Sequence, residues 1–123
     1  MTQDDTSNGD LEQCETGADV RANDGQRAAV VGTYEQVDVR QRKQGDPVYR
    51  GHVAVRLDDG TKVHLEPTWA QDARRDDDEI ERFEGRRVRA IGTVHEEPPD
   101  PPQPVAYVVA PCLRPVEQIE AVD

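Results

Sequence analysis

The chain has 123 residues, 34% of them hydrophobic and 33% charged, and a formal net charge of −11. That length accommodates one domain and excludes two ordinary ones. The acidic balance argues against a protein that coats duplex DNA or anionic lipid, and no apolar run approaches the roughly 18 residues of a membrane helix. The N-terminal segment lacks a basic start followed by an apolar stretch, so no export signal is legible and a cytoplasmic location is expected.

Residues 1–27 read as a disordered acidic tail. Leu11 and Val20 are the only aliphatic side chains larger than Ala after Met1, too few to offset the entropy of ordering the segment. The tail holds Asp4, Asp5, Asp10, Glu12, Glu15, Asp19 and Asp24 against Arg21 and Arg27, a net −5 of the chain's −11. Residues 28–123 are expected to form the folded domain.

The domain reads as five strands and one helix. Ala28 to about Arg42 is rich in β-formers, with Gly32 interrupting it as a bulge or sharp coil requires. Tyr49–Leu57 and Thr61–Glu66 alternate, and the residues between them set their register. A three-residue loop Asp58-Asp59-Gly60, with Gly60 left-handed, pairs Leu57 with Thr61. Val55 then faces Val63, Val53 faces Leu65, and Ala54 and His52 fall opposite His64 and Glu66 on the other face. A two-residue turn sets Val55 against His64 and exposes apolar side chains, so the first register is expected to win. Asp76–Phe83 is the helical stretch, its acids crowding the N-terminal end that favours anions and Gly85 placed to stop it. Trp69 precedes it as a candidate plug for one end of the core. Arg86–Val94 is the fourth strand, with Val88, Ala90, Gly92 and Val94 on one face. Pro98 to Pro104 form a proline-rich loop. Val105–Leu113 is the fifth strand, with Pro111 and Pro115 suggesting an edge position or a bent strand, and Val116–Ala121 as a short terminal extension.

This order, with a first strand that bends at a glycine, a meander, and a helix before strand four, resembles the OB-fold, a five-stranded Greek-key barrel. The segment Phe83-Glu84-Gly85-Arg86-Arg87-Val88-Arg89-Ala90-Ile91-Gly92-Thr93-Val94 is similar to the fourth strand of many OB domains, where a glycine-started strand carries a second glycine near its middle. The resemblance covers about 28–119 and implies an all-β barrel with one short helix between strands three and four. It also implies a ligand face on strands two and three, helped by the loops after strands one and four.

Residues bearing on that face are mixed. Arg40, Arg42, Lys43, Arg50 and Arg56 outnumber Asp46 around the first loop, with Tyr49 as an interleaved aromatic, and Arg86, Arg87 and Arg89 add a second basic group. The loop after strand four carries Glu96, Glu97 and Asp100, which repel a phosphate backbone. His52, His64 and Glu66 could share a surface, but no HExxH or CxxC spacing is present, so no metal or cofactor is expected. Cys14 and Cys112 fit two reduced thiols better than a disulfide framework. The acids between Asp72 and Glu84 lack calcium-loop spacing. No P-loop, dinucleotide or GxSxG pattern appears, and no nucleophile, base and oxyanion donor can be assembled, so an enzyme is not expected. The expected function is non-catalytic binding of a protein partner through the strand two–three face and the basic first loop, with Arg42, Arg50, His52, Arg56 and His64 as contacts. Single-stranded nucleic-acid binding by the same face, disfavoured by net charge, and self-assembly through strand edges are the alternatives.

Overall fold

The computed structural model describes residues 11–40, 44–71, 73–103 and 109–122. Its elements in chain order are β1 (Gln13–Cys14), α1 (Gly17–Ala22), β2 (Arg27–Gln36), β3 (Val53–Arg56), β4 (Lys62–Leu65), α2 (Asp77–Phe83), β5 (Arg87–His95) and β6 (Cys112–Ala121). The sheet runs β1-β2-β3-β4-β6-β5, and β2 pairs again with β5, so five strands close into a barrel with β1 on its outside edge. The β4–β6 pair is parallel, and the other barrel pairs are antiparallel. Strand order, the parallel pair and the helix before β5 are consistent with an OB-like fold.

The hairpin follows the register that alternation demands. Val55 pairs with Val63 and Ala54 with His64. Leu57 N donates to Thr61 O at 2.7 Å, Gly60 N to Leu57 O at 2.9 Å, and Gly60 has φ 90°. Val53, Val55, Leu57, Val63, Leu65, Val88 and Val94 all lie in one buried cluster. Tyr34 joins it, donating through its hydroxyl to Glu79 at 2.7 Å, while Arg75 grips the same carboxylate with Nε at 2.7 Å and Nη2 at 2.9 Å. The Tyr34 hydrogen bond thus ties α2 to the core, and Arg75 holds the accepting carboxylate in place.

Two glycines permit closure. β2 pairs with β5 over Arg27–Thr33 and with β3 over Thr33–Gln36, so it changes partners at Thr33, next to Gly32. A Cβ on Gly32 would stand 2.2 Å from Arg56 O, and one on Gly92 would stand 2.2 Å from Pro115 O. Both partners are backbone and cannot rotate away. Gly92 also marks a double register shift between β5 and β6.

The structure moves three boundaries. Residues 11–27 are not tail. Ala29 N donates to Glu12 O at 2.9 Å and Asp58 N to Glu15 O at 3.1 Å, and Gly17 N donates to Asp59 Oδ2 at 2.8 Å, so the segment is stitched to β2 and to the hairpin turn. Cys14 and Val20 lie in the core cluster. Two buried apolar residues suffice because backbone hydrogen bonds to the barrel share the cost of ordering. α1 is a second helix that composition hid, although Thr16-Gly17-Ala18-Asp19 carries its signal. Thr16 Oγ1 caps the helix by accepting from Asp19 N at 3.3 Å, and Asp19 Oδ2 accepts from Glu15 N, the residue before the cap, at 2.9 Å.

The last strand is displaced too. It runs Cys112–Ala121, through Pro115, whereas Val105–Val108 lie outside the described residues and Val109–Pro111 outside the strand. Pro115 is tolerated because it sits in the irregular stretch opposite Gly92, where no ladder N–H is required of it. Glu66 secures the crossing: 5% exposed and with φ 75°, it accepts from Arg114 Nη1 at 2.7 Å and from Val116 N at 2.9 Å. Trp69 is not a core plug. It is partly exposed, donates to Pro99 O at 2.9 Å and lies under the Arg114 guanidinium. Finally, β2 ends at Gln36 rather than near Arg42, and β3 begins at Val53 rather than Tyr49, so the intervening residues form a longer first loop than expected.

Gly32→Ala and Gly92→Ala are each expected to lower stability by about 2–4 kcal/mol, because backbone must move to admit the methyl. Removing residues 1–22 is expected to lower the urea midpoint measurably, whereas a dispensable tail would leave it unchanged.

Candidate functional site

The first loop, between β2 and β3, is organised by one carboxylate. Asp38 accepts from Arg40 N at 3.1 Å, from Arg40 Nε at 2.9 Å, from Arg40 Nη2 at 2.6 Å and from Val48 N at 3.3 Å. The same guanidinium reaches across the loop to Gln44 O at 3.3 Å and Asp46 O at 3.2 Å. Arg40's hydrogen bonds hold the Asp38 carboxyl well below its ordinary range. Arg40 is therefore a stitch for the loop. The stitched loop stands off the sheet and leaves a groove of about 450 Å³, lined by Glu35, Val37, Pro47, Tyr49, Lys62 and His64 among others. Tyr49 is 51% exposed there, one of the few large apolar side chains left to solvent among the described residues.

The five residues expected to make contact fare differently. Arg42 lies outside the described residues. Arg50 is exposed and His52 half-buried, and both line a smaller cleft with Val37, Val39, Val48 and Arg74. Arg56 does not line the groove and is engaged by Glu35, its Nε donating at 2.8 Å, while Lys62 Nζ sits 3.2 Å from the other oxygen of that carboxylate. Burial pushes the Glu35 carboxyl up, but Arg56 and Lys62 outweigh it and hold it below its ordinary value. His64 lines the groove as alternation indicates, yet it is only 8% exposed.

Sequence reasoning missed Arg74. It follows a stretch with no clear periodicity, and only the fold brings it to the first loop. Arg75 N donates to Gly51 O at 2.8 Å, and a Cβ on Gly51 would stand 3.4 Å from Arg74 Cβ. Gly51 has φ 91°, a conformation that suits glycine.

The basic residues of β5 are spoken for. Arg87 Nη1 donates to Asp58 at 3.1 Å and its other nitrogen lies 3.7 Å from Glu15, while Arg89 donates to Glu120 at 2.9 Å. Both thiols are buried. Burial first, then Asp19, pushes the Cys14 thiol up to about 11, and burial, then Glu66, pushes Cys112 up to about 12. Both are far from thiolate chemistry. Among the described residues no group of three or more His, Cys, Asp or Glu is placed to hold a metal ion.

Compared with known protein families, curated proteins and solved structures, the chain matches none. What the geometry defines is a closed five-stranded β-barrel, consistent with an OB-like fold, carrying a groove beneath its first loop. No helix among the described residues is long and apolar enough to cross a membrane.

His64 gives this site a pH signature. Burial, then the neighbouring His52 and Lys62, lower its pKa to about 4, and burial and Arg74 lower that of His52. Below pH 6.5 the unfolded chain takes up protons that the folded chain refuses, so stability is full above pH 6.5 and falls as pH drops toward 4. Urea titrations between those values are expected to show this loss, and His64→Leu is expected to flatten it. An unchanged slope in the variant would assign the loss elsewhere.

Proposed function

We propose that this protein is a non-catalytic binding module that takes an extended, acidic segment of a protein partner into the groove between the first loop and the β3–β4 face. The observation that carries this reading is the groove itself: a preorganised cleft with an exposed tyrosine, on a face whose nearby cations Arg50 and Arg74 have no ion pair with a described carboxylate. Preorganisation matters because the described residues of the loop are already held by Asp38 and Arg40 before a partner arrives. A chain segment could meet side chains of the first loop, of β2 and of β4, all of which line the groove.

Of the contacts expected from sequence, Arg50 and His52 keep that role in this proposal, and Arg42 is retained by its place in the same loop. Arg56 is assigned to holding Glu35, and His64 to the groove floor. The neutralisation of Arg87 and Arg89 by carboxylates supports a protein partner over a nucleic acid, since a phosphate backbone needs a continuous positive track.

Fluorescence anisotropy tests the reading with a labelled Asp/Glu-rich peptide and a labelled single-stranded oligonucleotide, each titrated at two salt concentrations. The peptide is expected to bind, and Arg42→Glu with Arg50→Glu to weaken it by roughly tenfold or more. Tight oligonucleotide binding that weakens steeply with salt would replace the proposal with the nucleic-acid reading. Peptide binding indifferent to the double variant would remove the groove as its site.

A further inference from the structure

In a chain of net charge −11, carboxylates are abundant, and most of the described arginines end on one. Arg27 meets Glu117, Arg40 meets Asp38, Arg56 meets Glu35, Arg75 meets Glu79, Arg87 meets Asp58, Arg89 meets Glu120 and Arg114 meets Glu66. Arg50 and Arg74, like Arg21 and Arg82, form no ion pair with a described carboxylate, and of these four only Arg50 and Arg74 share a cleft. Both are exposed. The backbone links their two segments: the Arg75 N to Gly51 O hydrogen bond, 2.8 Å, joins the residue after Arg74 to the residue after Arg50. Like charges gathered in this way repel one another, and burial, then the cation of Arg74, lowers the pKa of His52 in the same cleft. At neutral pH the imidazole is therefore neutral and can donate one hydrogen bond while the two guanidiniums carry the charge.

The rest of the cleft is aliphatic. Val37 is buried, Val39 and Val48 are partly so, and together they form its floor. The volume is about 180 Å³, below the roughly 300–1,000 Å³ of pockets that enclose a drug-sized ligand. Space of that size takes a side chain or two. A bare phosphate would use the arginines and waste the valines, whereas a carboxylate beside an aliphatic side chain uses both.

We infer that this cleft is the specificity seat of the groove, receiving one Glu or Asp side chain of the partner between Arg50 and Arg74 and an adjacent aliphatic side chain on Val37, Val39 and Val48. The inference rests on the protein-segment reading of the groove and adds to it the residue pair that is read and the arginine, Arg74, that reads it. Arg40 contributes by position alone, since its guanidinium is occupied by Asp38 and the loop carbonyls.

The test is an amide NMR titration of the full chain with an acetylated, amidated peptide Gly-Ser-Val-Glu-Leu-Ser-Gly and its twin carrying Gln in place of Glu. Blocked ends remove the terminal carboxylate as a competing anion. The expected result is perturbation of the Val39, Gly51, His52 and Arg74 amides by the Glu peptide, with binding roughly tenfold weaker for the Gln twin and for Arg74→Gln. Arg74 is exposed, so the variant should keep a folded spectrum. If both peptides perturb the Glu35, Tyr49 and Lys62 amides equally and Arg74→Gln changes nothing, the seat is wrong and the groove stands. If neither peptide perturbs any amide, seat and groove fall together. If an oligonucleotide displaces the Glu peptide and engages Arg50 and Arg74 more tightly, the seat belongs to phosphate and the inference is overturned.

Discussion

Closure of the barrel at Gly32 is the constraint on which the remaining features depend. A single ten-residue strand, β2, serves two partners and must bend sharply where it passes from β5 to β3. The bend brings its backbone against the Arg56 carbonyl, leaving no room for a side chain. Gly92 performs the matching task on the other side, where β5 crosses β6 at Pro115. Because both contacts are backbone against backbone, main-chain geometry constrains the curvature at these two points. The β3–β4 face, the first loop and the cleft beside it all take their placement from that curvature.

Charge is distributed to support the same architecture. Carboxylates are numerous, yet several hold the fold together. Glu79 binds Tyr34 and Arg75, Glu66 binds Arg114 and the Val116 amide, and Asp59 receives Gly17. Exposed pairs such as Arg27–Glu117 add little individually. The half-buried and buried ones matter more, because removing one partner strands the other in a poorly solvated place. Net charge alone therefore describes the molecule badly: it is acidic overall, and one small cleft on it is cationic.

Much of the fold is legible from residues that act locally. Val53, Val55, Val63 and Leu65 alternate, and Asp58-Asp59-Gly60 offers a left-handed glycine, so hairpin and register follow without knowledge of the rest. Asp76 to Gly85 spells a helix by its acidic start and glycine stop. What escaped was decided at a distance. Cys14 and Val20 are too sparse to announce a folded segment, and only the hairpin turn and β2, remote in sequence, provide the partners that order them. Pro115 reads locally as a mark of an edge or a bent strand, and its place in the irregular stretch beside Gly92 is defined by another strand. The candidate site divides in the same way. Arg50 and His52 are readable because they sit in a basic run beside the expected ligand face. Arg74, more than twenty positions further on, is not.

Sequence by itself determined the alternation that separates an inner wall from an outer one, the turn that reverses the chain, and the residue chemistry available at the first loop. These are nearest-neighbour properties, set by side-chain direction and φ preference over a few residues. Tertiary structure alone decided which cations would be neutralised, whether His64 on the outer face would be covered, and that Arg74 would stand beside Arg50. Those outcomes depend on loops folding over strands and on contacts between residues far apart in the chain, and charge interactions fall off so steeply with distance in water that only the final geometry assigns the partners.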